Sequence, residues 1–268
     1  MEIDTRDYHA FEFPLDLERE IFTIAFRQNR RDVRNLLLVS KQVFHWIISL
    51  CYEVIIAGSA GGWPRKLNND QLQKYGHLVR HLHTRDTGLI AHCPNVFNLA
   101  VWASPRQIDI EAILERPITR ISINIHKFFS PTPPIIAFCS RITHLDVSIS
   151  EWDPKDVLPH FGVLSHLAIF ENLPHHIFGA CLEVTRGSGL KVIILVSRGL
   201  ETRLTPVYEG ERKLNDDPRI VRVVFERRYQ EDWEEGAWGG VDMWVLADEI
   251  LESRRITGEG EKAGALQS

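Results

Sequence analysis

A six-residue pattern that recurs seven times between residues 79 and 225 constrains the fold of this 268-residue chain more than any other feature. Each copy has apolar residues at its first, fourth and sixth positions, apart from one threonine at a sixth position. The copies are Val79/Leu82/Thr84, Val96/Leu99/Val101, Ile118/Ile121/Ile123, Ile142/Leu145/Val147, Leu164/Leu167/Ile169, Leu190/Ile193/Leu195 and Ile220/Val223/Phe225. Because alternate residues of a strand face the same side of a sheet, each copy predicts a short strand with one side in a shared core. Repetition of the pattern predicts stacked repeats, in which each strand lies beside the preceding one.

The segments between the copies have helical or turn character. Residues 109–117 place apolar side chains on one helix face and end at Pro117, and residues 174–184 repeat this arrangement. Prolines also lie between the copies, where a missing N–H breaks no strand ladder; among them are Pro131, Pro133, Pro134, Pro154, Pro159 and Pro174. These segments therefore predict the returns that carry the chain from one strand to the next.

The spacing of the copies is similar to that of leucine-rich repeats. Their central residues lie 17 to 30 residues apart, whereas leucine-rich repeats are about 20–29 residues long. Such repeats usually carry Asn or Cys three residues after the pattern, and here only Asn172 does so. We therefore predict an α/β fold in which residues 76–232 form an irregular leucine-rich-repeat-like array of about seven short parallel strands.

Residues 13–56 follow a helical period instead of a strand period. Leu17, Ile21 and Ile24 recur on one helix face, and Pro14 suits a first turn. A second helix carries apolar residues three or four positions apart, at Leu36, Val39, Val43, Ile47 and Leu50. Its apolar surface is too broad for one partner helix, so the rest of the chain or another protein must cover the remainder.

These residues resemble the F-box, a short helical motif of ubiquitin ligase subunits. The motif's patterns, Leu-Pro-x-Glu-Leu/Ile-x-x-x-Ile and Val-Cys-Lys/Arg-x-Trp, are matched at Pro14, Leu17, Ile21, Val39 and Lys41. The positions that differ are Phe13 for Leu, Asp16 for Glu, Ser40 for Cys and Val43 for Trp. Together with the repeat array, the chain resembles F-box proteins with leucine-rich repeats, notably the divergent families of mushroom-forming fungi.

The resemblance implies docking onto the Skp-family adaptor of a Skp/cullin/F-box ubiquitin ligase and, through it, association with cullin and RING subunits. An amphipathic helix that enters a groove is a common mode of recognition. The side chains expected to enter the adaptor's groove are Pro14, Leu15, Leu17, Ile21, Val39, Phe44 and Trp46. In the alternative interpretation, these residues form the core of an N-terminal cap on the repeats.

The residues that alternate with the apolar pattern are expected on the opposite, concave side of the sheet. Histidine, arginine and aromatic residues dominate there, which suits a protein target better than a phosphate backbone. The candidate target-binding residues are His81, His83, Arg85, Trp102, Arg120, Asn124, His144, Asp146, His166 and Phe170. A solvated face without a ligand is the alternative.

His144 and His166 occupy the same position in neighbouring copies of the pattern. Adjacent strands lie about 4.8 Å apart, so the two imidazoles are expected to be neighbours, close to Arg120. Because nearby positive charge lowers a histidine pKa, we expect binding at this face to weaken below about pH 6.

The remaining segments complete the predicted organisation. Residues 233–256 predict a C-terminal helix that caps the open edge of the sheet, since residues 242–255 are amphipathic. The other boundaries are an N-terminal segment at 1–12, an F-box-like motif at 13–56, a linker at 57–75 and a disordered tail at 257–268.

Charge and composition exclude several classes of protein. The 31 basic and 36 acidic residues leave no basic excess, so nucleic acid is not an expected partner. No apolar stretch approaches the roughly 20 residues of a membrane span, and the acidic N-terminus is unlike a signal peptide. The four cysteines are widely spaced without a CxxC pair, which favours reduced thiols in the cytoplasm or nucleus.

Enzyme and metal sites are disfavoured by the spacing of the reactive residues. His81, His83, His92 and Cys93 have the chemistry of zinc ligands but no spacing that would direct them at one ion. The glycines of residues 186–191 precede a strand and not a helix N-terminus, so they offer no phosphate cradle. We therefore expect no catalytic residue, metal or cofactor, and predict a non-catalytic substrate receptor or, alternatively, a protein-binding scaffold outside any ubiquitin ligase.

Overall fold

The computed structural model describes residues 13–30, 33–57, 69–102, 109–124, 132–148, 153–170, 175–198, 217–225 and 228–257. The chain divides into two compact units, Met1–Tyr52 and Glu53–Ser268. The N-terminal segment predicted at 1–12, most of the linker predicted at 57–75, and the tail from 258 onward lie outside the described residues.

The first unit is helical, as the period of its sequence predicts, but the predicted second helix through Leu36 and Leu50 is divided in two by a break at residues 38–40. Its helices are α1 (Leu15–Gln28), α2 (Val33–Leu37) and α3 (Lys41–Glu53). Pro14 precedes α1, and its carbonyl oxygen accepts hydrogen bonds from Leu17 N and Glu18 N. Ser40 caps α3, because its Oγ accepts a hydrogen bond of 3.1 Å from Val43 N.

The second unit contains one eight-stranded sheet whose strands are all parallel and follow one another in chain order. The strands are β1 (Val54–Ile56), β2 (His81–Thr84), β3 (Asn98–Val101), β4 (Arg120–Asn124), β5 (His144–Ser148), β6 (His166–Phe170), β7 (Val192–Arg198) and β8 (Ile220–Phe225). The prediction of an α/β fold with sequential parallel strands is confirmed, and the arrangement is solenoid-like.

The register of the sheet follows the six-residue pattern. The central residues of the first six copies pair in one row, which runs Leu82, Leu99, Ile121, Leu145, Leu167 and Ile193. All six are buried in the core between the sheet and the returns. The pattern therefore predicts the register correctly over β2 to β7, because a shift by one residue would move every one of these side chains to the other side of the sheet.

The prediction that residues 54–56 are helical is wrong. Strand β1 pairs with β2, and Ile55 lies opposite Leu82 at the end of the same row. Tyr52, Ile55 and Ala57 follow the apolar pattern, 27 residues before the next copy, so the signal was present in the sequence. The helical period of the preceding residues obscured it.

The assignment of sides in the last copy is also wrong. Ile220, not Val223, lies opposite Ile193, so Val221 and Val223 face the side of the sheet that was expected to carry Arg222. Arg222 lies on the other side and is exposed. Strand β8 has the sequence IVRVVF, which places apolar residues on both faces of the strand. The pattern therefore does not show which face is buried.

Short helices form the returns in the described parts of the segments between strands. They are α4 (Asn69–Tyr75), α5 (Gly88–Ala91), α6 (Ile110–Leu114), α7 (Pro133–Cys139), α8 (Pro154–Val157) and α9 (His175–Thr185). Aspartates cap two of them, since Asp109 Oδ1 accepts from Ala112 N and Asp153 Oδ1 from Lys155 N. Helix α4 lies within the segment predicted as a linker, which is therefore helical from residue 69 onward.

Two arginines connect successive return helices. Arg116 donates to the carbonyl oxygens of Ile90 and Ala91 in α5, over 3.2 and 3.1 Å. Arg141 donates to Leu114 O in α6, over 2.7 Å, and to Arg116 O. Carbonyl groups at the C-terminal end of a helix have no hydrogen-bond donor within their own helix. Each arginine supplies such a donor to carbonyl oxygens at the end of the preceding return.

The described part of the chain ends in two helices, α10 (Tyr229–Ala237) and α11 (Met243–Thr257), where one capping helix was predicted at 233–256. Gly239, with φ of 78°, lies in the turn between them. Helix α10 packs against β1, and α11 packs against β7 and β8. Both helices lie on the side of the sheet opposite the returns, so they cover its face as well as its end.

Candidate functional site

Large apolar side chains are exposed on the described part of the first unit. Leu17 and Ile21, one turn apart on α1, are 53% and 51% exposed, and Val39, before α3, is 56% exposed. We call this group of exposed residues the apolar surface of the first unit; its members are Phe13, Leu15, Leu17, Ile21, Ile24, Leu38 and Val39. Exposed apolar side chains grouped in this way mark interaction sites in soluble proteins.

The predicted adaptor-binding residues fall into two groups. Pro14, Leu15, Leu17, Ile21 and Val39 are exposed, whereas Phe44 and Trp46 on α3 are partly buried. Val43, which occupies the motif's tryptophan position, is completely buried. Val43 is therefore not part of the exposed group.

The sheet of the second unit positions the other candidate residues in two rows. One row, toward the start of each strand, runs His81, Asn98, Arg120, His144, His166 and Val192, and the other runs His83, Ala100, Ser122, Asp146, Ala168 and Ile194. Both rows lie on the side opposite the returns, as the pattern predicts. We call this side the histidine face.

The histidine face is covered by the two C-terminal helices. The ring of Trp233 lies 5.6 Å from that of His83, Tyr229 lies 5.1 Å from Trp102, and Trp244 lies 5.2 Å from His144. At the β7–β8 end, the cover is an apolar cluster of Phe170, Val192, Ile194, Val196, Val221 and Val223 with Met243, Trp244 and Ala247.

The prediction that this face is exposed is therefore wrong for most of its candidate target-binding residues. His83, Asp146, His166 and Phe170 are buried. Partial burial is found at His81, Trp102, Arg120 and His144. Arg85 is exposed, and the side chain of Asn124 lies outside the described residues. Residues 242–255 were predicted to cap the edge of the sheet, whereas α11 packs on its face. Amphipathicity shows that a helix packs against another surface, but it does not show which one.

The expected pairing of His144 and His166 is confirmed. Their residues are directly opposite in β5 and β6, and their rings stack with centroids 4.2 Å apart and an interplanar angle of 5°. Thr143 Oγ1 lies 2.9 Å from His144 Nδ1, and Ser165 Oγ lies 2.7 Å from His166 Nδ1. Asp248 of α11 reaches His166 Nε2 over 3.1 Å.

Burial holds these imidazoles in their neutral form. Burial lowers the pKa of His81 and of His83 to about 4, and the charges of nearby arginines contribute to this lowering. The pKa of His144 falls to about 3, first through burial and then through the charges of His166 and Arg120. Burial also lowers the pKa of His166, although its contact with Asp248 acts in the opposite direction.

A buried carboxyl group lies beside the histidines in the second row. Ser122 Oγ and Tyr229 Oη both donate to Asp146 Oδ2, and the two hydroxyl oxygens are 2.7 Å apart. Asp146 is 1% exposed, and its Oδ1 has no hydrogen-bond partner among the described residues. Burial raises the pKa of Asp146 to about 7. The side chain therefore favours its neutral form, in which Oδ1 or Oδ2 carries a proton.

Metal and thiol chemistry have no assembled site in the described part of the chain. No group of three or more His, Cys, Asp or Glu side chains has the arrangement of metal ligands there. The four cysteines are free and buried, and burial raises the pKa of Cys93 and Cys139 to about 11. Within the described residues, no helix is long and apolar enough to cross a membrane.

Comparisons of the chain with models of protein families, with curated proteins and with solved structures found no match. The apolar surface of the first unit and the histidine face are the two surfaces that bear on function.

Proposed function

We propose that the chain is the substrate-recognition subunit of a Skp/cullin/F-box ubiquitin ligase, in which the first unit docks onto the Skp-family adaptor. The supporting observation is the exposure of Leu17, Ile21 and Val39, three of the residues that carry the resemblance to the motif. Transfer of a side chain of this size from water into a groove on another protein is favourable by about 1.5–3 kcal/mol.

The second unit provides the target-recognition part of this proposal. Its sequential parallel sheet presents side chains in regular rows, an arrangement that repeat proteins use to bind other proteins. The unit would hold a target near the ubiquitin carrier, and other subunits would perform the transfer. Because the histidine face is covered, the target binds either outside that face or after the C-terminal helices move.

Adaptor binding tests the proposal directly. The full chain and a Leu17→Asp/Ile21→Asp variant are titrated with purified Skp adaptor by isothermal calorimetry. Arg19→Asp/Thr23→Asp is the matched control, because it places the same two charges at the same spacing on α1 without removing an apolar side chain. Circular dichroism shows whether all three chains are equally folded.

We expect the wild type and the control to bind and the apolar variant to bind at least ~100-fold more weakly, since two buried contacts of roughly 1.5–3 kcal/mol each are lost. Equal binding by all three chains would show that these residues do not form the contact. Absence of binding by the wild type would contradict the ligase role and favour a protein-binding scaffold outside any ubiquitin ligase.

A further inference from the structure

Four histidines lie at the interface between the sheet and the C-terminal helices. His81 and His83 on β2 face Trp233 of α10, at centroid distances of 6.5 and 5.6 Å. His144 and His166 meet the ring of Trp244 on α11, at 5.2 and 5.9 Å and nearly perpendicular angles. Contacts between neutral imidazoles and indoles therefore form part of the interface that holds both helices on the sheet, beside two apolar clusters.

The sheet side of this interface is positively charged. Arg120, on the central strand β4, acts electrostatically on His81, His144 and His166. Further positive charges come from Arg80 near His81, from Arg85 near His83 and from Lys191 near His166. A proton added to any of these imidazoles meets like charge on its own side of the interface.

The helical segment supplies two carboxylates that act on the positively charged groups of the sheet. Asp248 pairs with His166, and Asp242 interacts electrostatically with Arg120. The carboxylates of Asp232 and Asp242 accept backbone hydrogen bonds at the start of α11, from Met243 N, Trp244 N and Val245 N. Tyr229 donates to Asp146. One carboxylate thus contacts one of the four imidazoles, and the other three face aromatic rings.

The contacts within the second unit show that α10 and α11 are the elements that could separate from the sheet. The opposite side of the sheet is an apolar core of residues such as Leu82, Leu145 and Leu167, and parallel strand pairing holds β1 to β8 together. Helices α10 and α11 are the last elements of the described chain and contribute no strand pairing. They can therefore leave the sheet without breaking a backbone ladder.

We propose that α10 and α11 form an acid-releasable cover, which is closed over the histidine face at neutral pH and leaves it on acidification while the sheet remains folded. The proposal concerns the second unit alone and does not depend on adaptor docking by the first.

The direction of the effect follows from the protons that each state binds. For His81, His83 and His144, the pKa is lower in the covered state than in the released state. Their contribution to closure is therefore complete above about pH 6.5 and is lost as the pH falls toward 4 or 3. Asp146 and Asp242 act in the opposite direction, because burial raises the pKa of both, that of Asp146 to about 7, and closure favours their protonated forms. His166 also has a lowered pKa. Four histidines outweigh two aspartates, and acid therefore favours release.

Hydrogen exchange of the full chain tests the proposal at pH 7.5 and pH 5.5, with each peptide referred to its own rate in the unfolded chain. We expect the protection of residues 229–257 to fall at least tenfold at pH 5.5, while strands β3 to β6 keep theirs. Unchanged protection of the helices would overturn the proposal. Parallel loss in helices and strands would also overturn it, because it would show unfolding of the whole unit.

Two pairs of substitutions identify the groups that titrate. His144→Phe/His166→Phe keeps an aromatic surface under Trp244, and His81→Gln/His83→Gln replaces the other pair independently. Each variant that is folded at pH 7.5 should retain at least tenfold more protection of residues 229–257 at pH 5.5 than the wild type. His77→Gln, at an exposed histidine, should behave as the wild type does. If residues 229–257 lost as much protection at pH 5.5 in both paired variants as in the wild type, these histidines would not be the groups that titrate.

Discussion

Asp146 lies in an environment very different from that of its free side chain in water. It is fully buried, accepts two hydroxyl hydrogen bonds at one oxygen and has no described partner at the other. An ionised carboxylate in this position would lack water and any cation, and Asp232 nearby makes ionisation less favourable still. The cluster is therefore compatible with a neutral acid, which links the stability of the cover to pH.

We predict that Asp146→Asn removes one part of the pH dependence of folding. The wild-type carboxyl has a pKa of about 7 in the folded chain against 3.8 for the free side chain, so its stabilising proton is lost as the pH rises toward 7. Between pH 6 and pH 8, the unfolding free energy of the variant should rise by about 1–2 kcal/mol relative to that of the wild type.

Urea titrations at the two pH values measure this difference. Asp156→Asn, at an exposed aspartate of α8, is the control and should show no such change. A pH-independent difference for Asp146→Asn would mean that the carboxyl is ionised throughout this range.

At the scale of elements, the returns are joined by side chains that the repeat pattern does not specify. Leucine-rich repeats use asparagine or cysteine after the strand, and this chain has only Asn172 at that position. In the described returns, Arg116 and Arg141 bond the carbonyl groups of the preceding helix instead. The repeats are therefore connected at the returns as well as at the strands.

We predict that Arg141→Met destabilises the second unit by about 2–3 kcal/mol, because carbonyl groups at the end of α6 lose a charged donor and methionine supplies none. The midpoint of chemical denaturation measures the change. Arg186→Met, at an exposed position, should alter stability by less than ~0.5 kcal/mol. Equal stability of the two variants would show that water replaces the Arg141 contacts at no cost.

At the scale of the whole molecule, the C-terminal helices decide which surfaces the protein presents. Without α10 and α11, a band of apolar side chains on β6, β7 and β8 would face water, including Phe170, Ile194 and Val196. With the helices in place, the histidine face is occupied, and the large apolar side chains of the first unit remain exposed. The fold thus covers one candidate binding surface and leaves another open.

We predict that deletion of residues 228–268 causes the chain to self-associate, because an uncovered apolar patch of this kind is an aggregation surface. Light scattering coupled to size exclusion measures the association, and binding of a hydrophobic dye reports the exposed patch. A chain that ends at Thr257 keeps both helices and should behave as the full chain does. A deletion variant with the elution and dye binding of the full chain would show that the cover does not protect the sheet.

The sequence by itself determined the strands, their order and their register from β2 to β7, because an apolar residue at every alternate position is stable only with that side buried. It also determined the helices of the first unit, whose period differs from that of a strand. His144 and His166 were correctly expected side by side, since equivalent positions of neighbouring repeats must meet in a parallel sheet.

Only the tertiary structure decided what covers each surface. Periodicity shows which side chains share a side, but the partner of that side comes from elsewhere in the chain. Trp233 and Trp244 meet histidines far earlier in the sequence, and Val221 and Val223 face inward because α11 lies over them. Such contacts depend on where the chain turns after β8, and the period of a helix carries no information about the surface on which it packs.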